Sequence, residues 1–124
     1  MPMKSSYVEQ TLKQWQYRFE RYCENVYTHN TYLRYSRAID NFLDWLPKYI
    51  TYPWEVGAFH AKKYREYLID TRGKSESAAY WTLTGLSTFW EYMLQNDYDV
   101  PINPWVHIAA RASRSKPRQT GREQ

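Results

Sequence analysis

The stretch TYLRYSRAIDNFLDWL, residues 31–46, carries two different stripes on what reads as one helix. Thr31, Tyr35, Ala38, Ile39, Phe42, Trp45 and Leu46 recur at steps of three and four. At about 3.6 residues per turn that spacing makes a continuous apolar stripe. Asn30, Arg34, Arg37, Asn41 and Lys48 cluster away from it on a polar, basic face. A helix divided in this way docks by one side and offers guanidinium groups by the other, an arrangement suited to a polyanion such as DNA.

Working outward, each neighbouring segment also reads as helix. Ser6 and Glu9 have capping-box spacing, and Val8, Leu12, Trp15, Phe19 and Tyr22 follow at helical intervals, predicting a first helix over about residues 7–24. Glu9 and Lys13 add an i,i+4 pair. Residues 25–30 favour turns and caps, with Asn30 a candidate cap for the second helix, which stops at Pro47. Residues 47–54 carry two prolines and no helical period, so they read as a loop, with Trp54 and Val56 as core plugs. A third helix begins between Pro53 and Ala58, includes Phe59, Tyr64, Tyr67 and Leu68, and ends before Gly73, a C-terminal glycine in left-handed geometry.

Ser75 caps a fourth helix with the stripe Ala79, Leu83, Leu86, Trp90, Met93 and Leu94, closed by Asn96 and Asp97. Asn103 as cap and Pro104 in the first turn announce a last short helix containing Trp105, Val106, Ile108 and Ala109. No segment has strand periodicity. The expectation is an all-α protein, a compact four- to five-helix bundle over residues 1–112, with 113–124 as a flexible basic tail.

Composition fits that reading. The 124 residues suffice for one domain, and 17 Lys and Arg against 13 Asp and Glu give a net charge of +4, a mild bias toward nucleic acid. The bias sharpens at the C-terminus, where Arg111, Arg114, Lys116, Arg118 and Arg122 are opposed only by Glu123. Aromatic residues make up 19% of the chain, so Trp, Tyr and Phe are expected to build the core. Cys23 is the only cysteine, which excludes an intramolecular disulfide and a thiolate zinc cluster and suits a reducing compartment. The N-terminus lacks a secretory apolar core and no apolar run approaches the about eighteen residues needed to span a bilayer, so the expected location is cytoplasmic and off the membrane.

The order of these signals resembles the core-binding, SAM-like domain of tyrosine recombinases, the phage integrase family. The resemblance is carried by a helix with Thr31, Tyr35, Ile39, Phe42, Trp45 and Leu46, then a shorter helix around Tyr64 and Leu68. A Gly-x-Ser turn from Gly73 to Ser75 follows, then a helix with Leu83, Leu86, Phe89, Trp90, Tyr92 and Leu94, and a closing Asn103-Pro104. It spans about residues 7 to 115. It implies one arm of a clamp around double-stranded DNA, with the second and fourth helices facing the major groove. The implied DNA-facing residues are Asn30, Arg34 and Arg37 on the second helix and Ser77, Trp81 and Thr84 on the fourth. Arg111, Arg114 and Lys116 correspond to the basic linker that leads, in the family, to a catalytic domain not contained in these residues. Other recombinase subunits are implied as further partners. The fourth helix departs from the family in having no Lys or Arg between Ser75 and Gln95.

Each site residue has a plainer reading. Arg34 and Arg37 suit guanine edges or phosphates, and equally a solvated face. Lys48 reads as solvated. Trp81 points away from the Leu83 and Leu86 stripe, toward a thymine methyl, a neighbouring subunit or the chain's own first helix. Lys62, Lys63 and Arg65 accompany Glu66 and Asp70, which suggests intrahelical pairs.

His29, His60 and His107 lie in separate segments without metal-ligand spacing, Asp40 and Asp44 are spaced as on a solvated face, and no glycine-rich phosphate loop exists. No enzymatic activity, cofactor or small-molecule substrate is expected of these residues alone. The competing class is a helical protein-interaction module, or a truncated regulatory recombinase, that uses exposed aromatics with Trp81 foremost.

Overall fold

Thr28, not Asn30, opens the two-striped helix. Its Oγ1 accepts the Thr31 backbone N–H at 3.2 Å, which leaves Asn30 inside the first turn. A computed structural model describes residues 11–96 and 100–108. In it α1 spans Leu12–Val26, α2 His29–Trp45, α3 Ala58–Glu66 and α4 Glu76–Asn96. A 3-10 turn forms at Pro53–Glu55, a π turn at Tyr67–Thr71, and a last helical turn at 106–108. The protein is all-helical, with no strand among the described residues.

The two extended residues Tyr27 and Thr28 alone reverse the chain between α1 and α2, a tighter turn than residues 25–30 suggested. α1 likewise starts later than its periodicity implied. Thr11 is extended, its Oγ1 accepts from the Gln14 N–H at 3.2 Å and the Thr11 N–H donates to Gln14 Oε1 at 2.7 Å. The Leu12 N–H donates to the Thr51 carbonyl at 2.9 Å, fastening this end to the loop after α2. The expected Ser6–Glu9 box, Val8 and the Glu9 partner of Lys13 lie outside the described residues.

The core is aromatic. Phe42 of α2 meets Trp105, Tyr64 and Trp90 edge to face, with ring centroids 5.0, 5.1 and 6.1 Å apart. Trp15 and Phe19 of α1 pack beside them, Phe19 lying 5.2 Å from Phe89. Rings offset the scarcity of branched aliphatics because each buries a large area and prefers this tilted geometry.

α2 and α4 approach closely at Gly85. A Cβ there would stand 3.2 Å from Tyr35 Cδ1 and 3.5 Å from Ala38 Cβ. The chain ends its packing as Asn103-Pro104 suggested. Asn103 Oδ1 accepts the Trp105 N–H at 3.0 Å, and its Nδ2 donates to the Ser87 carbonyl, Ser87 Oγ and Glu91 Oε2 at 3.0 to 3.1 Å. One amide thereby pins the last turn to α4 and seats Trp105 in the core.

Three local expectations are corrected. Val56 plugs the core with Pro53, but Trp54 stacks on Tyr52 at the surface, 4.7 Å away and nearly parallel. The cause is the 3-10 turn, which the Glu55 carboxylate fixes by accepting the Thr51 and Tyr52 N–H groups at 2.8 and 3.0 Å. Those two bonds hold the Glu55 carboxyl below the usual range. Arg65 does not pair within its own helix. It reaches Glu76 at the start of α4, at 3.3 Å, while Lys63 pairs with Glu66 at 3.7 Å. Lys48 leaves the basic face of α2, because the helix stops at Trp45 and Leu46 turns extended. Among the described residues no helix is long and apolar enough to cross a membrane.

Candidate nucleic-acid interface

The π turn after α3 is the local structure that assembles the site. The Arg72 N–H reaches back to the Tyr67 carbonyl at 3.0 Å and the Lys74 N–H to the Leu68 carbonyl at 2.9 Å, closing around Gly73 at φ 71°. This is a glycine-terminated helix end, in which only a residue without a Cβ takes the left-handed position cheaply. Its consequence is positional. Arg72 and Lys74, on either side of the glycine, are carried to the flank of α2.

There they meet the basic face. A cleft of about 260 Å³ is lined by Arg34, Arg37 and Asn41 of α2, Arg72 and Lys74 of the turn, and Trp81, Thr82 and Thr84 of α4, over Tyr35, Ala38, Tyr64 and Leu68. No carboxylate lines it. Among the described residues none of its four cations is in an ion pair. Four like charges sharing one concavity repel each other, and in water that repulsion is relieved by any anion that enters.

Trp81 stands at the edge of this cleft with 57% of its surface exposed. The Arg34 guanidinium lies 5.9 Å from the centre of its ring, within cation–π range, and Tyr80 meets the ring edge-on at 5.2 Å. At the base of the cleft the Tyr64 hydroxyl has its pKa pushed up to about 12. Burial is the main cause, Tyr67 adds to it, and the Arg72 charge works the other way. Tyr64 is therefore a neutral phenol at physiological pH, a donor or acceptor and not an anion.

The structure thus brings together Arg34, Arg37, Trp81 and Thr84 of the sequence-derived set, with Asn41. Asn30 is exposed in the first turn of α2 and Ser77 half-buried in the first turn of α4, and neither lines the cleft. Arg111, Arg114 and Lys116 lie outside the described residues. Arg72 and Lys74 were not singled out from the sequence, and the available signal was two cations bracketing a helix-ending glycine. They bring positive charge to the turn before α4, a helix that itself has no Lys or Arg between Ser75 and Gln95.

A second, wider groove of about 600 Å³ shares no lining residue with the first. Trp45, Tyr49, Phe59 and Tyr67 line it with Lys63, Glu66 and Asp70. Phe59 and Tyr49 are 67% and 81% exposed. Its charges are mixed, and Lys63 already covers Phe59 at 5.7 Å. Among the described residues no cluster of His, Cys, Asp or Glu is arranged to hold a metal. His60 instead accepts the Gly57 N–H at 3.0 Å and caps α3. No family model, curated protein or solved structure matches this chain.

Proposed function

We propose that this chain binds double-stranded DNA through the α2–α4 cleft, as the core-binding, SAM-like arm of an integrase-like tyrosine recombinase. The observation that carries the reading is the convergence of Arg34, Arg37, Arg72 and Lys74 on one concavity that no carboxylate lines. A phosphate ridge running along the mouth is neutralised by all four, and the counterions this releases from the DNA drive association without exact geometry. Arg34 and Arg37, on successive turns of a rigid helix, set the register, one of them free to fork onto a guanine edge where the groove admits it. On this reading the chain contributes grip and orientation, and strand cleavage belongs to the family's catalytic domain. A cytoplasmic location accords with it. Affinity for an arbitrary duplex is expected near micromolar, about that of other non-specific complexes.

The test is an amide chemical-shift titration with a short duplex at low salt. Shifts concentrated on Arg34, Arg37, Arg72, Lys74 and Thr84 support the reading. Shifts confined to the Tyr49 and Phe59 groove, or none at all, contradict it. The second reading, a protein-interaction module, draws on the exposed rings of that groove. It requires Tyr49→Ala with Phe59→Ala to release the protein partner, while changes to Arg34, Arg37, Arg72 and Lys74 leave it bound.

A further inference from the structure

We infer that the cleft takes an unpaired nucleotide of the bound DNA, its base stacked on Trp81 and its phosphates held by Arg37, Arg72 and Lys74. This rests on the DNA reading above and goes beyond it, because an intact duplex offers the exposed indole base edges and thymine methyls but no ring face. Paired bases present only their edges to the grooves. A ring face becomes available when a base leaves the stack, and aromatic side chains bind such faces with little regard to sequence.

Four features of the cleft fit one nucleotide. Its buried lining, Ala38, Tyr64 and Leu68, is largely apolar, whereas its exposed lining carries Arg34, Arg37 and Arg72, so a base and its phosphate separate as the lining does. Its volume, about 260 Å³, lies just under the range that encloses a drug-sized molecule, which suits a single base with part of its sugar. Asn41 and Thr84 stand at the wall with donors and acceptors for the base edge. Arg34, now over the ring of Trp81, must shift outward to admit the base and can then cover its second face. The wider groove offers none of this separation, since Glu66 and Asp70 lie among its rings.

The experiment compares the full chain binding a fully paired duplex and the same duplex carrying one unpaired 2-aminopurine. The expected results are an affinity about tenfold higher for the bulged duplex and quenching of the 2-aminopurine on binding. Trp81→Ala should bring the ratio of the two affinities to about one, and Trp81→Phe should retain part of it. Both variants should melt as the parent does, since the side chain is exposed. Equal affinity of the parent for both duplexes, or a ratio unchanged in Trp81→Ala, overturns the inference and leaves the duplex reading standing. Failure to bind either duplex at low salt overturns both. Free deoxyadenosine monophosphate bound as tightly as the bulged duplex also overturns it, and assigns the cleft to free nucleotides.

Discussion

Replacing Arg34 and Arg37 together by alanine removes two exposed guanidinium groups that line a cleft without carboxylates. Duplex affinity should fall, with the melting temperature changed by no more than about a degree or two, as for other surface substitutions. A melt lowered well beyond that would show both to be structural. Arg72→Ala with Lys74→Ala should weaken binding to every duplex to a similar extent, because groups at a loop reach phosphates and read no sequence. Loss confined to one sequence contradicts this. These two pairs differ in how visible they were. Periodicity placed Arg34, Arg37 and Trp81, since residues three and four apart share a helix face, and the family resemblance implied Thr84. Arg72 and Lys74 depend on a chain reversal at Gly73, and no periodic argument carries across a left-handed residue. Asn30 illustrates the opposite error, for it has the chemistry of a cap, but Thr28 lies at the extended residue where a cap is required. Cys23, 1% exposed, has its thiol pushed up to about 12 by burial and, to a smaller degree, by Glu20. It should resist thiol reagents at neutral pH until the chain unfolds, and prompt reaction in the folded state would contradict its burial.

At the scale of elements, the spacing of α2 and α4 fixes the width of the cleft, and Gly85 fixes that spacing. Gly85→Leu forces atoms into the contact with Tyr35 and Ala38. It should cost about 1–3 kcal/mol, as overpacking does, measured by denaturant unfolding. Duplex affinity should drop as well, because Arg34 and Thr84 are moved apart. Unchanged stability would mean that Tyr35 swings aside. Asn103→Ala strands the partners of a four-bonded amide and should cost about 1–3 kcal/mol in the same assay. Four helices were legible because their stripes are long. Their ends were legible where one clear signal stood, as at Pro47 after α2 and at Ser75, whose Oγ accepts the Ala78 N–H at 3.1 Å. Around α3 the start near Ala58 and the left-handed Gly73 were legible, and the π turn was not. Phe59 lies in α3 as expected but is exposed, and the π turn at Tyr67–Thr71 shifts the chain beyond it out of helical register.

For the molecule as a whole, two buried acids set the alkaline limit. Tyr64 and Cys23 ordinarily titrate near 10.0 and 9.0, and in the fold both are raised to about 12. A raised value means that the folded state keeps the proton longer than the unfolded chain, so their contribution is complete below about pH 9 and lost as pH rises toward 12. Melting temperature should therefore fall across that interval, less steeply in Tyr64→Phe. The central claim concerns charge. It is tested most directly by measuring duplex affinity against salt concentration for the parent and for a variant with Arg34, Arg37, Arg72 and Lys74 all changed to alanine. At roughly 0.9 per phosphate engaged, the two slopes of log affinity against log salt should differ by about three to four. Parallel lines, with the four cations gone and the salt dependence intact, would place the polyanion elsewhere on the protein.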